Sequence, residues 1–515
     1  MNKTIPFIAL LLTCSILKAQ FKQIGAGPYF EEPGRSEARI LLMKNGNTLF
    51  VNLGRDYANV RIYNSSYKEI SVNSFEPSYK KLDFLWIQEA FETGGDAVLI
   101  VGGIEKKAKT LYRLIIDGSN GKLKQDEELG SVTGPEKYMN TLNINIRAKA
   151  DPNTGNYAVM FFTKSDSPKG WHVELVTYGP DHKEIRRAYS DFSGKEFEYF
   201  NFQELFIKGS DITAFLAATK ATSDKKNKVL KLISSKKGES TLSVNDIISI
   251  KDSLFLSAII RHNPFTKKLL VLATTRDCCD GFDMNSSRIL AFIDPEKINP
   301  ENETKHEANR GIDPDIIKML RNKAMMNGKY YNSGAPKDVI FNQDGSFQVI
   351  YIEESYQGGH FENRNILITN YTKSGELSGC SLLPRNFWQD LPGSFGFIGT
   401  FTNSYRKFLY LNRAKNNYLL INEYQRNIEL LKKNKSPLQS NAVSESDAFY
   451  FPLSVGSNEV NEGKYVFEKS SNEQERDVLA LGFAVYDKEN DILVALHLHI
   501  DGDNKKVNIV WLKPE

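Results

Sequence analysis

The feature that most constrains this chain is a six-residue, apolar-rich run that returns roughly every 50 to 60 residues, with one longer interval. The runs are Thr48 to Leu53, Ala97 to Gly102, Tyr157 to Phe162, Ile212 to Ala217, Lys268 to Ala273, Phe347 to Ile352 and Lys407 to Asn412, with a weaker one at Lys464 to Lys469. Turn residues such as Asn45-Gly46-Asn47, Gly94-Gly95-Asp96, Asn153-Thr154-Gly155 and Asp344-Gly345 introduce most of them, a hairpin signal. Each run is followed by a second strand that ends in a polar turn, as in YRLIIDGSNGKL, VELVTYGPDHKEI and ILITNYTKSGEL. A short sheet of this kind cannot bury both faces alone, and radial stacking solves the problem. The pattern therefore predicts an all-β fold, a β-propeller of seven or eight blades. The count favours eight. Two stacked β-sandwich domains are the alternative.

One interval departs from the repeat. Asp313 as N-cap, Pro314 at the first helical position and the stripe Ile316, Ile317, Met319, Leu320 predict an inserted helix near 314–327, covering an edge or face of the disk. No Pro/Ser-rich linker interrupts the interior, so residues 20–515 read as one propeller domain.

Residues 1–19 have the order of a secretory signal peptide: Lys3, an apolar stretch from Ile5 to Leu17, then Ala19. The stretch is too short to span a bilayer, and no later segment is long enough. Export to the periplasm or the exterior follows, with lipid attachment at Cys14 as the minor alternative. The full chain carries 66 Lys+Arg against 63 Asp+Glu, and the leader removes Lys3 and Lys18, so the mature chain is close to neutral. That balance argues against nucleic acid as a partner. The basic cluster Lys225, Lys226, Lys228, Lys231, Lys236, Lys237 reads as solvated hairpin charge.

Three cysteines remain after the leader: Cys278, Cys279 and Cys380. Adjacent Cα atoms lie about 3.8 Å apart, below the disulfide range, so Cys278 and Cys279 do not suit each other. A bond from one of them to Cys380, or three thiols, are the remaining arrangements.

The stretch from Asp344 to Gln389 runs through DGSFQVIYIEESY, a His-containing loop, RNILITNYTKSGELSG and LLPRNFWQ, and YRKFLYLNRAKNN follows. It resembles a pattern in uncharacterised secreted repeat proteins common in Bacteroidota. The resemblance implies export and a propeller-like array. It implies no activity and no site residues.

In a four-stranded blade, connections between second and third strands all emerge on one face of the disk. Two such connections stand out: Arg276 to Asp283, with Asp277, Asp280 and Asp283, and Ser355 to Arg364, with Tyr356, His360 and Glu362. Glu353 and Glu354 lie just beneath. Long loops with acids, an imidazole and aromatics on a rigid scaffold are where binding or catalysis is built, although polar loops are also ordinary connections. Paired carboxylates could act on a glycosidic bond, or with His360 hold a metal. Tyr356, Phe361, Phe282 and Trp388 offer surfaces for stacking sugars.

A second constellation is His497, His499 and Asp501, placed by period-two spacing on one strand face; two imidazoles and a carboxylate suit zinc or another divalent ion. Asp117 to Gly121 and Asp487 to Asp491 lack the offsets of calcium loops and read as turns. There is no G-x-S-x-G elbow, no H-E-x-x-H and no phosphate-binding loop. No cofactor is expected. The leading expectation is a non-enzymatic scaffold that binds a protein or glycan. A carbohydrate-active hydrolase or lyase using Glu353, Glu354, His360 or Glu362 competes with it, and a structural cell-envelope component is the third.

Overall fold

A computed structural model describes residues 21–515 except 34–35, 83, 106–107, 134–144, 165–169, 193–198, 221–226, 252, 278–285, 296–303, 306–334, 358–359, 391–403, 414–416, 441 and 454–461. The chain forms eight antiparallel sheets arranged in a ring, an eight-bladed β-propeller. The first four blades begin with the innermost strands Glu37–Leu42, Phe84–Thr93, Asn145–Ala150 and Tyr199–Lys208. The last four begin with Ser253–His262, Ala335–Phe341, Leu409–Leu411 and Glu475–Leu479. Blade 8 is assembled from both ends of the chain. Its strands Glu475–Leu479, Ile492–Asp501 and Asn504–Pro514 are completed by Phe21–Ala26, which pairs with the last of them.

Alternation explains why the blades stack. In blade 1, Leu49, Val51, Val60 and Ile62 enter the cluster shared with blade 2, while Ala38, Ile40, Phe50 and Tyr63 enter the one shared with blade 8. Similar clusters join every other neighbouring pair. The second strand of a blade is covered on both faces, which is why Thr48–Leu53 is buried along its whole length. Outermost strands alternate instead, as Glu69–Phe75 does.

The first six apolar runs are the second strands of blades 1 to 6. The other two are different elements. Lys407 to Asn412 contains the innermost strand of blade 7, and Lys464 to Lys469 contains its outermost one, Lys464–Tyr465. The true second strands of blades 7 and 8, Asn417–Glu423 and Ile492–Asp501, bury Asn417, Asn422, Glu423 and His497, so polar letters mask their burial. The inserted helix expected near 314–327 lies outside the described residues. Among the described residues the one α-helix is Gln425–Lys432, between the second and third strands of blade 7.

Charged side chains join blades at two places. Around the axis, successive innermost strands of blades 1 to 6 present Arg39, Glu89, Lys149, Glu204, Arg261 and Asp338, alternating in sign. Glu89, Glu204 and Asp338 each directly follow a bulge residue. Glu204 accepts the Ile260 amide at 2.8 Å and pairs with Arg261, tying blade 4 to blade 5. Burial pushes the Glu89 carboxyl upward, against Lys149, the Ala150 amide and Arg39. Farther round, Arg385 is 1 % exposed and faces Glu423 at 3.4 Å, while donating to the carbonyls of Arg406 and Asn422 at 3.0 and 2.9 Å. Glu423 in turn accepts the Tyr424 amide and Asn427 Nδ2, both at 3.0 Å.

Candidate functional site

The blade 8 side of blade 1 is not fully covered. Pleating and register set Ala38, Asn52, Asn59 and Ser74 in one cross-strand row, and Ile40, Phe50, Arg61 and Val72 in the next. Toward the axis these rows are core. Toward the rim they form the floor of a groove of about 580 Å³, whose wall is the segment Tyr29 to Pro33 that leads from the closing strand of blade 8 into blade 1. This volume falls within the usual range for ligand sites.

The wall is held locally. Phe30 bridges to Val507 through its backbone, and its ring lies 5.5 Å from that of Phe50. The Arg61 guanidinium stacks 4.4 Å over the Phe30 ring and pairs with Glu69 at 2.8 Å, so its plane is fixed. Tyr57 closes the tight connection between the second and third strands. The Gly54 amide donates to the Tyr57 carbonyl at 2.9 Å, and a Cβ on Gly54 would stand 2.2 Å from the Tyr57 ring. Glycine at 54 thus leaves room for the ring to lie there.

Two aromatic rings at the groove are exposed, Tyr29 by 55 % and Tyr57 by 36 %. Between them Asn52, only 7 % exposed, has a buried Oδ1 without a hydrogen-bond partner. A buried acceptor left unpaired costs about 1 to 3 kcal/mol, so a donor that reached it would be favoured. Glu32 lines the same groove at an exposed position, and partial desolvation there raises its carboxyl above the ordinary value against the opposing charge of Lys505. Stackable rings, an amide acceptor, a fixed guanidinium and carboxylates are the donor, acceptor and apolar surfaces that polyhydroxylated ligands use.

The expected rim residues are distributed differently. Asp277 ends the second strand of blade 5, and Asp280, Asp283, Phe282, Cys278 and Cys279 lie outside the described residues. The segment from Ser355 to Arg364, expected as a loop, is mostly a hairpin, because Phe347–Gln357 and His360–Tyr371 continue pairing outward. Glu353 is the extra residue of a bulge; Glu354 sits opposite Asn363, Tyr356 opposite Phe361 and Gln357 opposite His360. A further strand, Phe387–Asp390, adds to this hairpin and sets Trp388 opposite Glu362. Ladder hydrogen bonding overrides the loop reading there, since the segment finds partners on both sides. Cys380 is buried in the core between blades 5 and 6.

His497 and His499 do meet a carboxylate, but it belongs to Asp477 on the innermost strand of blade 8. Its Oδ1 lies 2.8 Å from His497 Nε2 and 2.9 Å from His499 Nδ1. Asp501 stands apart at the turn, 3.3 Å from Asn472 Nδ2. Burial pushes the Asp477 carboxyl up, but the hydrogen bonds and charge of the two imidazoles outweigh this and hold it below the ordinary value. The polar face expected on this strand is therefore partly interior: His497 is buried against the Phe467 ring. The calcium-like stretches are turns, each capped by its own Asp117 or Asp487. Lys231 of the basic cluster pairs with Asp246.

The sequence reading missed Tyr29, Asn52, Tyr57, Asn59, Arg61 and Asp477. The positional rule for second-to-third-strand connections also covers Arg55-Asp56-Tyr57 of blade 1, a connection shorter than those the sequence singles out. Nothing local signals Asn52 or Asp477, whose surroundings come from distant segments.

No family model matches the sequence, and no curated protein matches it. Among solved structures, the chain is similar to the polysaccharide lyase Uly1 at 9 % identity, over 83 % of this chain and 90 % of that one, with a TM-score of 0.42. An ulvan lyase bound to -[GlcA(1-4)Rha3S]- gives 10 % identity over 83 % and 91 %, with a TM-score of 0.42. The Penicillium chrysogenum alpha-L-arabinanase complexed with arabinobiose gives 8 % over 59 % and 93 %, at 0.33. At these levels of similarity the reading of this chain rests on its own residues. Among the described residues no helix is long and apolar enough to cross a membrane.

Proposed function

We propose that this chain is an exported propeller that binds glycan through the groove between its N-terminal crossing segment and blade 1. The observation that carries the reading is the unpaired, buried Asn52 Oδ1 at the floor of a groove flanked by the exposed rings of Tyr29 and Tyr57. A sugar ring offers what these groups lack: an apolar C–H face for the tyrosines and a hydroxyl donor for the amide oxygen. Arg61 and the carboxylates of Glu31 and Glu32 would orient further hydroxyls around the ring. Export rests on the order of residues 1–19, whose removal leaves the closing strand Phe21–Ala26 close to the new terminus.

The test is a glycan array probed with the mature chain, followed by calorimetric titration of the best ligand against the parent and Tyr57→Ala. Saturable binding that weakens at least tenfold in the variant, with an unchanged melting temperature, supports the reading. An array without hits, or hits indifferent to Tyr57→Ala, sinks it. Incubating each hit with the protein and looking for shortened products separates a binding module from a hydrolase or lyase.

A further inference from the structure

The cluster in blade 8 contains no groove residue and faces a different neighbour, blade 7. Asp477 is the register partner of His499, and His497 is paired with Leu479 on one side and Asn508 on the other. Pleating puts Asp477, His497 and His499 on one face.

The hydrogen bonds around His497 determine where its proton sits. Asn508 is 4 % exposed, and its Nδ2 donates to the Gly27 carbonyl at 3.2 Å. A carbonyl only accepts, so the amide has one orientation, with Oδ1 directed at His497 Nδ1 3.1 Å away. Nδ1 must therefore carry hydrogen. In the neutral ring that leaves a lone pair on Nε2, aimed at the Asp477 oxygen 2.8 Å away. Two acceptors at that distance repel each other unless a cation lies between them. His499 Nδ1 converges on the same oxygen.

We propose that Asp477, His497 and His499 bind one divalent transition-metal ion of the zinc class, through Nε2 of His497, Nδ1 of His499 and a carboxylate oxygen of Asp477. The donor set is that of zinc sites with a fourth position left to water. The three ligand atoms lie within 4.8 Å of one another. Tetrahedral zinc spaces its ligands about 3.4 Å apart, so the carboxylate oxygen would draw back from each imidazole by about half an ångström to admit the ion. Asn508 supplies the outer hydrogen bond that orients a metal-bound imidazole. A cavity of about 10 Å³ borders the cluster, lined by Asp447, Tyr465, Phe467 and Asp477, which is room for one water. The competing occupant is a proton on His497, and the cations around the cluster are Lys506, paired in register with His499, Arg476, next to Asp477 on its strand, and Lys469, which lines the same cavity.

The experiment uses the full mature chain, dialysed against chelator and then into metal-free buffer. Titration with zinc chloride at pH 7.5 is expected to show one ion per chain with micromolar or tighter affinity, weakening as pH falls because protons compete for the imidazoles. Zinc at 100 times its dissociation constant should raise the melting temperature. Asp477→Asn and the more accessible His499→Ala should each cut affinity at least tenfold; His497→Ala is avoided as the primary variant because that ring is core. Circular dichroism of the metal-free variants establishes that they fold. Absence of saturable binding in the parent overturns the proposal, and so does stoichiometric binding that persists unchanged in both folded variants.

Discussion

The Arg385–Glu423 network and the blade 1 groove are both polar and both packed against core, but they differ in how their atoms are satisfied. At Arg385 each guanidinium nitrogen has an acceptor from the chain, and Glu423 is held by an amide and a side chain besides. In the groove, Asn52 Oδ1 has none. The first arrangement is complete without a ligand and works as a clamp between blades. The second leaves one acceptor of a groove-lining residue unpaired. Charge density alone does not tell the two apart.

Breaking the clamp should have the largest effect. Arg385→Ala leaves Glu423 buried and uncompensated, and urea denaturation should show a loss of about 3 to 5 kcal/mol. A variant within 1 kcal/mol of the parent would mean that the pair is not part of what holds blades 6 and 7 together. Tyr57→Ala acts the opposite way: ligand affinity falls by about 1.4 kcal/mol or more, a factor of ten, while stability stays within about 0.5 kcal/mol. Asn52→Leu tests the contrast most directly. Removing an unpaired acceptor should leave stability equal or raise it by up to about 1 kcal/mol, yet weaken binding. Destabilisation by several kcal/mol would show that Asn52 is a structural residue.

The smallest effect concerns pH. Because partial desolvation raises the Glu32 carboxyl, the folded chain holds that proton more tightly than the unfolded chain. Between the unfolded value of about 4.3 and the raised folded value, stability falls as pH rises. Glu32→Gln removes this term, so its urea midpoint should exceed the parent's at pH 7 and converge with it below about pH 4. Curves that coincide at both pH values would show that the groove does not desolvate the exposed Glu32 side chain.

Six of the eight blades were legible in the sequence because their second strands are covered on both faces and made almost wholly of apolar residues. Blades 7 and 8 broke the pattern for a physical reason: Asn422 and Glu423 are buried within hydrogen-bond networks, and His497 within the pair with Asp477. A hydropathy run cannot distinguish such residues from exposed ones. The closing strand, FKQIGA, is an outer strand with one buried residue and left no trace in the repeat. The groove was hidden because it joins segments from two blades, and the His497–Asp477 pair because its members are 20 positions apart.

The closure of blade 8 also sets an order of events. Phe21 pairs with Pro514, so the first strand to be made must wait for the last one. Joining ends that far apart costs about 5 kcal/mol of chain entropy, which the packing of Phe21 against Tyr418 and Tyr450 helps to offset. Blades 1 to 6 can assemble as a growing arc while synthesis continues. The arc stays open, with a bare edge at each end, until the C-terminal hairpin exists. The groove is built on the segment that follows the closing strand, so its wall is set in place only when blade 8 closes.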